Sequence, residues 1–117
     1  METQAETVVL CGANSYEEKY YLNPDFQRLP SAVRDELKIL CVLFTEEVGG
    51  ILTLEFLRDG ILILKTMADD YDYYYDEIEA GMQVRRLRKE KEELFESLEE
   101  YYRTFVLAGG IAGTSEG

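Results

Sequence analysis

The residues best equipped for chemistry lie in one acidic, tyrosine-rich stretch, Asp69-Asp70-Tyr71-Asp72-Tyr73-Tyr74-Tyr75-Asp76-Glu77-Ile78-Glu79. Its carboxylates attract divalent ions in general, and Asp70-x-Asp72 imitates the opening of a calcium loop. The third ligand position of such a loop holds Tyr74, however, and no glycine follows for the sharp turn, so no dedicated metal site is expected. Tyrosine rings among carboxylates suit a basic protein partner better. The carboxylates would pair with its Lys and Arg, while the rings supply rigid contact area and cation–π faces. Asp69, Asp70, Tyr71, Asp72, Tyr73 and Tyr74 therefore form the first part of a candidate interaction surface. The competing reading is that half of the tyrosines pack on a sheet and the carboxylates are a solvated turn.

Other chemistries find little support. The chain has no histidine, which removes every scheme built on imidazole. Ser15, Ser31 and Ser97 have no base in a recognisable pattern. Gly49-Gly50 follows a helical pattern instead of opening one, the reverse of what a phosphate site needs. Cys11 has no neighbouring cation or base to lower its pKa. With 24 Asp and Glu in the chain, a pair of carboxylates has no weight as an acid–base couple. No enzyme, catalytic residue, cofactor or metal is expected.

The 24 acids stand against 12 Lys and Arg, a net charge of −12, which opposes nucleic-acid binding, since that requires cations to displace condensed counterions. The apolar run Thr7 to Leu10 is too short for a leader or a membrane span. Cys11 and Cys41, without a Cys-x-x-Cys motif, read as free buried thiols of a reducing compartment, the cytoplasm.

The elements that must position these groups follow from periodicity. At 117 residues the chain is one domain, 1–108, followed by a flexible C-terminal tail, 109–117. Val8 to Gly12 reads as a strand. Lys19-Tyr20-Tyr21-Leu22 suits a second, hairpinned to the first, although Ser15 before two glutamates also fits the cap of a short helix. Pro30 in the first turn opens a helix with Val33, Leu37, Leu40, Cys41, Phe44 and Val48 on one face. Ile39, Val42 and Leu43 widen that face until the C-terminal half should be buried nearly all round, and Gly49 and Gly50 end it.

Ile51 to Leu57 and Ile61 to Met67 are strands joined by Arg58-Asp59-Gly60. A three-residue loop pairs Phe56 with Leu62 and Leu54 with Leu64. Glu55 and Lys65 then lie one diagonal step apart on a wet outer face. The acidic segment should begin as a turn and continue as a third short strand. Gly81 then separates it from a last helix, Met82 to Leu107, with Leu87, Leu94, Leu98, Tyr101 and Phe105 as its stripe. The expected fold class is α+β: a small, mostly antiparallel sheet of three to five strands packed against two main helices. Leu40, Phe44, Leu54, Phe56, Leu64, Leu94 and Leu98 should be its core.

The last helix has an unusual charge order. Arg85, Arg86, Arg88, Lys89 and Lys91 come first, and the acids Glu90, Glu92, Glu93, Glu96, Glu99 and Glu100 mostly follow, against the helix dipole. Two antiparallel copies would match basic half to acidic half. Arg85, Arg88, Lys89, Glu96 and Glu99 therefore complete the candidate interaction surface, with Tyr102 as aromatic anchor of a homodimer. The alternative is that Arg85 to Lys91 folds back on Asp69 to Glu79. The functional expectation is a non-enzymatic protein-binding or regulatory module, as a homodimer or as an acidic immunity- or inhibitor-like protein. A small-ligand-binding protein or enzyme, with a pocket between sheet and helix, is the alternative.

Several short runs also resemble a known group: Cys11-Gly12-Ala13-Asn14, Lys19-Tyr20-Tyr21-Leu22-Asn23-Pro24, Gly49-Gly50-Ile51-Leu52-Thr53-Leu54, Tyr75-Asp76-Glu77-Ile78, and Leu94-Phe95 with Tyr101-Tyr102. Over about residues 8 to 105 they are similar to an uncharacterised family of small bacterial proteins, a domain of unknown function. The resemblance implies a stand-alone, compact, cytoplasmic protein and carries over no catalytic or binding residue.

Overall fold

The computed structural model describes residues 6–108; the expected tail 109–117 lies outside the described residues. Four strands form one antiparallel sheet: β1 (Val8–Asn14), β2 (Lys19–Leu22), β3 (Ile51–Phe56) and β4 (Leu62–Met67), in the order β2-β1-β3-β4. Three helices accompany it, α1 (Ser31–Val48), α2 (Glu77–Glu90) and α3 (Glu92–Tyr102). A 3₁₀ turn at Pro24–Phe26 precedes α1, and a π-helical turn at Arg103–Leu107 follows α3. The α+β class and the antiparallel sheet are as expected, with three helices in place of two.

Lys19–Leu22 is the hairpin strand, pairing Cys11 with Leu22 and Asn14 with Lys19. The Asn14 side-chain oxygen accepts from Tyr16 N and Glu17 N, which closes the turn and displaces the helical alternative. Between β3 and β4 the register pairs Phe56 with Leu62 and Leu54 with Leu64, as the three-residue loop requires. Gly60 in that loop has φ 91°, which favours a residue without Cβ.

The core lies between the sheet and the helices. Leu37, Leu40, Cys41 and Phe44 of α1 are buried in one cluster with Cys11, Ala13, Leu52 and Leu54. At its far end Phe26, Phe56 and Tyr102 stack, the Phe56 and Tyr102 centroids 4.2 Å apart at 10°. The Cys11 and Cys41 thiols are free, with Sγ atoms 3.8 Å apart. The Cys11 hydrogen bond and burial push the Cys41 thiol above its ordinary pKa, so both sulfurs behave as small apolar groups.

Several expectations need correction. Pro30 is the residue before α1, with Ser31 the first helical one. The C-terminal half of α1 is not enclosed, since Ile39 and Leu43 are each 57% exposed; α2 covers one flank of α1 and leaves these two at a groove. The outer face at Glu55 is not wet. Glu55 is only 6% exposed, because Thr7 Oγ1 (2.6 Å), Thr53 Oγ1 (2.8 Å) and Lys65 Nζ (3.4 Å) close around its carboxylate.

The segment after β4 forms no third strand: it turns and enters α2, and Gly81 lies inside that helix. Asp76 caps α2, its Oδ1 accepting from Ile78 N and Glu79 N, so the helix starts at Glu77, four residues before Gly81. Finally, the last helix is two helices that meet at Lys91 (φ −112°, ψ 27°). The inward stripe runs Ala80, Val84, Leu87, Lys91, Phe95, Leu98, Tyr102, with Val84, Leu87 and Lys91 only half-buried, so a lysine interrupts the apolar stripe at its middle. Its Nζ reaches Glu36 Oε2 on α1 at 2.9 Å, and the chain bends there. Phe95 and Tyr102 thereby take the buried places expected for Leu94 and Tyr101; Leu94 and Leu64 are half-buried and Phe105 is exposed.

Candidate functional site

The loop from Ala68 to Tyr75 gathers the residues that the sequence singled out. Its shape is held by Asp72. The Asp72 N–H donates to Asp69 O (3.0 Å), and Oδ1 accepts from Tyr74 N (3.1 Å), so the side chain builds its own turn. Oδ2 accepts from the Tyr16 hydroxyl at 2.5 Å, and that hydroxyl accepts from Asp69 N at 3.1 Å. The Asp72 hydrogen bond, with desolvation, holds the Tyr16 phenol above its ordinary pKa, so it remains a neutral donor. Asp72 thus ties the loop to the β1–β2 turn.

Tyr75 is a further tie. Its ring packs over Gly50, where a Cβ would lie 2.7 Å from Tyr75 Cε1 and 2.5 Å from Met67 O. Gly50 also has φ 70°, so a side chain at 50 would be strained and would displace the loop.

With Tyr75 turned in, the other three rings face water: Tyr71 is 84% exposed, Tyr73 85% and Tyr74 98%. Ile78 and Met82, one turn apart on α2, are exposed as well. Among the described residues the ion pairs are Lys65–Glu55, Arg86–Glu90 and Lys91–Glu36. None involves Asp69, Asp70, Asp72, Asp76 or Glu77, so the carboxylates beside these rings have no ion-pair partner among the described residues. Glu79 accepts from Gln83 Nε2 at 2.8 Å. Among the described residues no three Cys, Asp or Glu side chains are arranged to hold a metal ion. The loop offers rigid aromatic faces beside carboxylates, an arrangement that receives cationic side chains.

The second half of the sequence-based surface is used differently. Arg85, Arg88, Lys89, Glu96 and Glu99 line one shallow groove at the α2–α3 bend, with Phe95 at its floor. Arg88 Nη1 donates to Leu62 O (3.3 Å) and Glu99 Oε2 accepts from Leu62 N (2.9 Å). These two side chains close the exposed edge of β4 at its first residue. Tyr102 is not a surface anchor: it is 4% exposed in the Phe56 stack. The expectation placed it on the outside because the stripe was read one residue out of phase, across Lys91. Nor does the basic half of α2 fold back on the acidic loop, since among the described residues no ion pair joins them.

Sequence reasoning missed Tyr16, Gly50 and Tyr75. For the helix start a signal was present: Asp76-x-x-Glu79 has the spacing of a capping box. For Tyr16, 56 residues from Asp72, no local pattern exists.

No curated protein and no solved structure matches the chain. Residues 7–110 match the model of a family described only as a family of unknown function (DUF6145). That span takes in every strand and helix described above, and on this match the chain belongs to that family.

Proposed function

We propose that the protein is a non-enzymatic binding or regulatory module that receives a Lys/Arg-rich segment of a protein partner on the loop from Asp69 to Asp76. The observation that carries this reading is three tyrosine rings of one short loop, each at least 84% exposed, on a loop that Asp72 and Tyr75 tie to the β1–β2 turn and to Gly50. Exposing such rings costs solvation that a solvated turn has no need to accept, and prior rigidity lowers the entropy lost on binding. The uncompensated carboxylates favour a basic partner, and an inhibitor-like role, masking a basic site, falls within the same chemistry. Two free buried thiols support residence in a reducing compartment, the bacterial cytoplasm in this reading, and no described helix is long and apolar enough to cross a membrane.

The alternative, a small ligand between sheet and helix, has a groove of about 690 Å³ between β1–β2 and α1. Tyr20 lines it, but the Tyr20 hydroxyl is buried without a partner and lies toward Cys11. That groove has no observation to carry it as a site.

The test is capture from host extract on the immobilised full chain and on a Tyr71→Ser/Tyr73→Ser/Tyr74→Ser variant. The substituted side chains are exposed, so the fold is retained. A basic protein held by the first, absent from the second and released by moderate salt is the expected result. Identical retention on both would refute the reading.

A further inference from the structure

We propose a second docking surface, separate from the loop: the groove between α1 and α2 receives an amphipathic, basic-ended helix of a partner protein. The groove encloses about 820 Å³. Leu40, Phe44 and Leu87 form its floor, while Ile39 and Leu43, each 57% exposed and one turn apart, stand along its length. On α1 its lining runs from Ala32 to Glu47, about 22 Å at the rise of an α-helix. That is the length of a four-turn guest presenting apolar residues every third or fourth position.

Charge selects the occupant. On the rim, Arg86 pairs with Glu90 and Lys91 with Glu36, so each of those acids is compensated. Asp35 and Glu47 have no cationic partner among the described residues, and they stand at opposite ends, about 18 Å apart along α1. A second copy of this chain is a poor guest. An antiparallel α1–α1 contact brings Asp35 against Glu47 of the partner copy at both ends, and a parallel one sets each acid against its own equivalent. Like charges then oppose both symmetric α1–α1 arrangements. A foreign helix with Lys or Arg about three turns apart, flanking its apolar face, meets both acids.

The probe is a fluorescent synthetic peptide of about sixteen residues, leucines at three- and four-residue spacing and lysines at both ends, titrated with the full chain in fluorescence anisotropy. Two control peptides carry glutamates at the ends, or the same residues in a scrambled, non-amphipathic order. The Lys-ended peptide should bind, and both controls should bind about ten-fold more weakly or less. Ile39→Glu and Leu43→Glu, on exposed side chains that leave no cavity, should each weaken it by a similar factor. Asp35→Lys with Glu47→Lys should reverse the preference to the Glu-ended peptide. Tyr73→Ser with Tyr74→Ser should leave affinity unchanged, which separates this surface from the loop. Equal binding of the scrambled peptide, indifference to Leu43→Glu, or loss with the loop variant would overturn the proposal. Self-association of the chain that Leu43→Glu abolishes would overturn it too, making a second copy the occupant.

Discussion

At the scale of single residues, two side chains carry more of this structure than their sequence neighbourhood announces. Tyr102 stacks on Phe56 at 4.2 Å and 10°, joining the end of α3 to β3 across the core. Tyr102→Ala should cost about 3–5 kcal/mol in chemical denaturation, the range for emptying a buried aromatic site. A surface anchor would have cost almost nothing, so the measurement separates the two placements directly. Glu55 is the other. Burial alone would raise its pKa, but hydrogen bonds from Thr7 and Thr53, and the Lys65 ammonium, outweigh it and bring it below the usual 4.5. A lowered folded-state pKa gives stability that is complete above the unfolded value and lost as pH falls through the folded one. Wild type should therefore be more stable than Glu55→Gln by a constant margin near neutral pH. That margin should shrink from about pH 4.5 downward. A margin independent of pH would show that the ionised form has no special role.

At the scale of elements, the acidic segment shows how one cap redirects a chain. Alternating tyrosines gave it a strand-like period, yet Asp76 satisfies Ile78 N and Glu79 N and so starts α2 before any strand can pair. Gly81 then sits in a helix interior, where a Cβ would meet only Arg85 Nη1 at 3.6 Å. Gly81→Ala should therefore stabilise the protein by about 1 kcal/mol, the difference in helix propensity. A loss of stability in thermal or denaturant unfolding would mean that α2 is not helical at this point. The α2–α3 bend makes a related point. Lys91 occupies a half-buried position on the apolar stripe, where its ammonium pairs with Glu36 on another helix. A periodicity search that skips charged residues passes to the neighbouring stripe there, which is how Leu94 and Tyr101 stood in for Phe95 and Tyr102.

At the scale of the whole molecule, a net charge of −12 acts against compactness, and of the three ion pairs among the described residues Arg86–Glu90 and Lys91–Glu36 are exposed or half-exposed on both sides, so each of these contributes little; only Lys65–Glu55 has a buried carboxylate. Salt should relieve more repulsion than it removes attraction. The urea midpoint should rise between about 0.01 and about 0.15 M NaCl, as the Debye length falls from roughly 30 to 8 Å; a fall would show that the ion pairs dominate. The α+β class, the β3–β4 register and both ends of α1 to within a residue were legible from sequence, because each depends on residues close together in the chain; the acidic segment was legible as a turn and not as the entry to α2. Period, turn chemistry and capping act over a few residues, and a tight loop fixes its own pairing. The order β2-β1-β3-β4, the Tyr16–Asp72 tie, the Tyr75–Gly50 contact and the closure around Glu55 were decided only in three dimensions. Each joins groups far apart in the chain, and its free energy exists only once the intervening chain has been folded to bring them together.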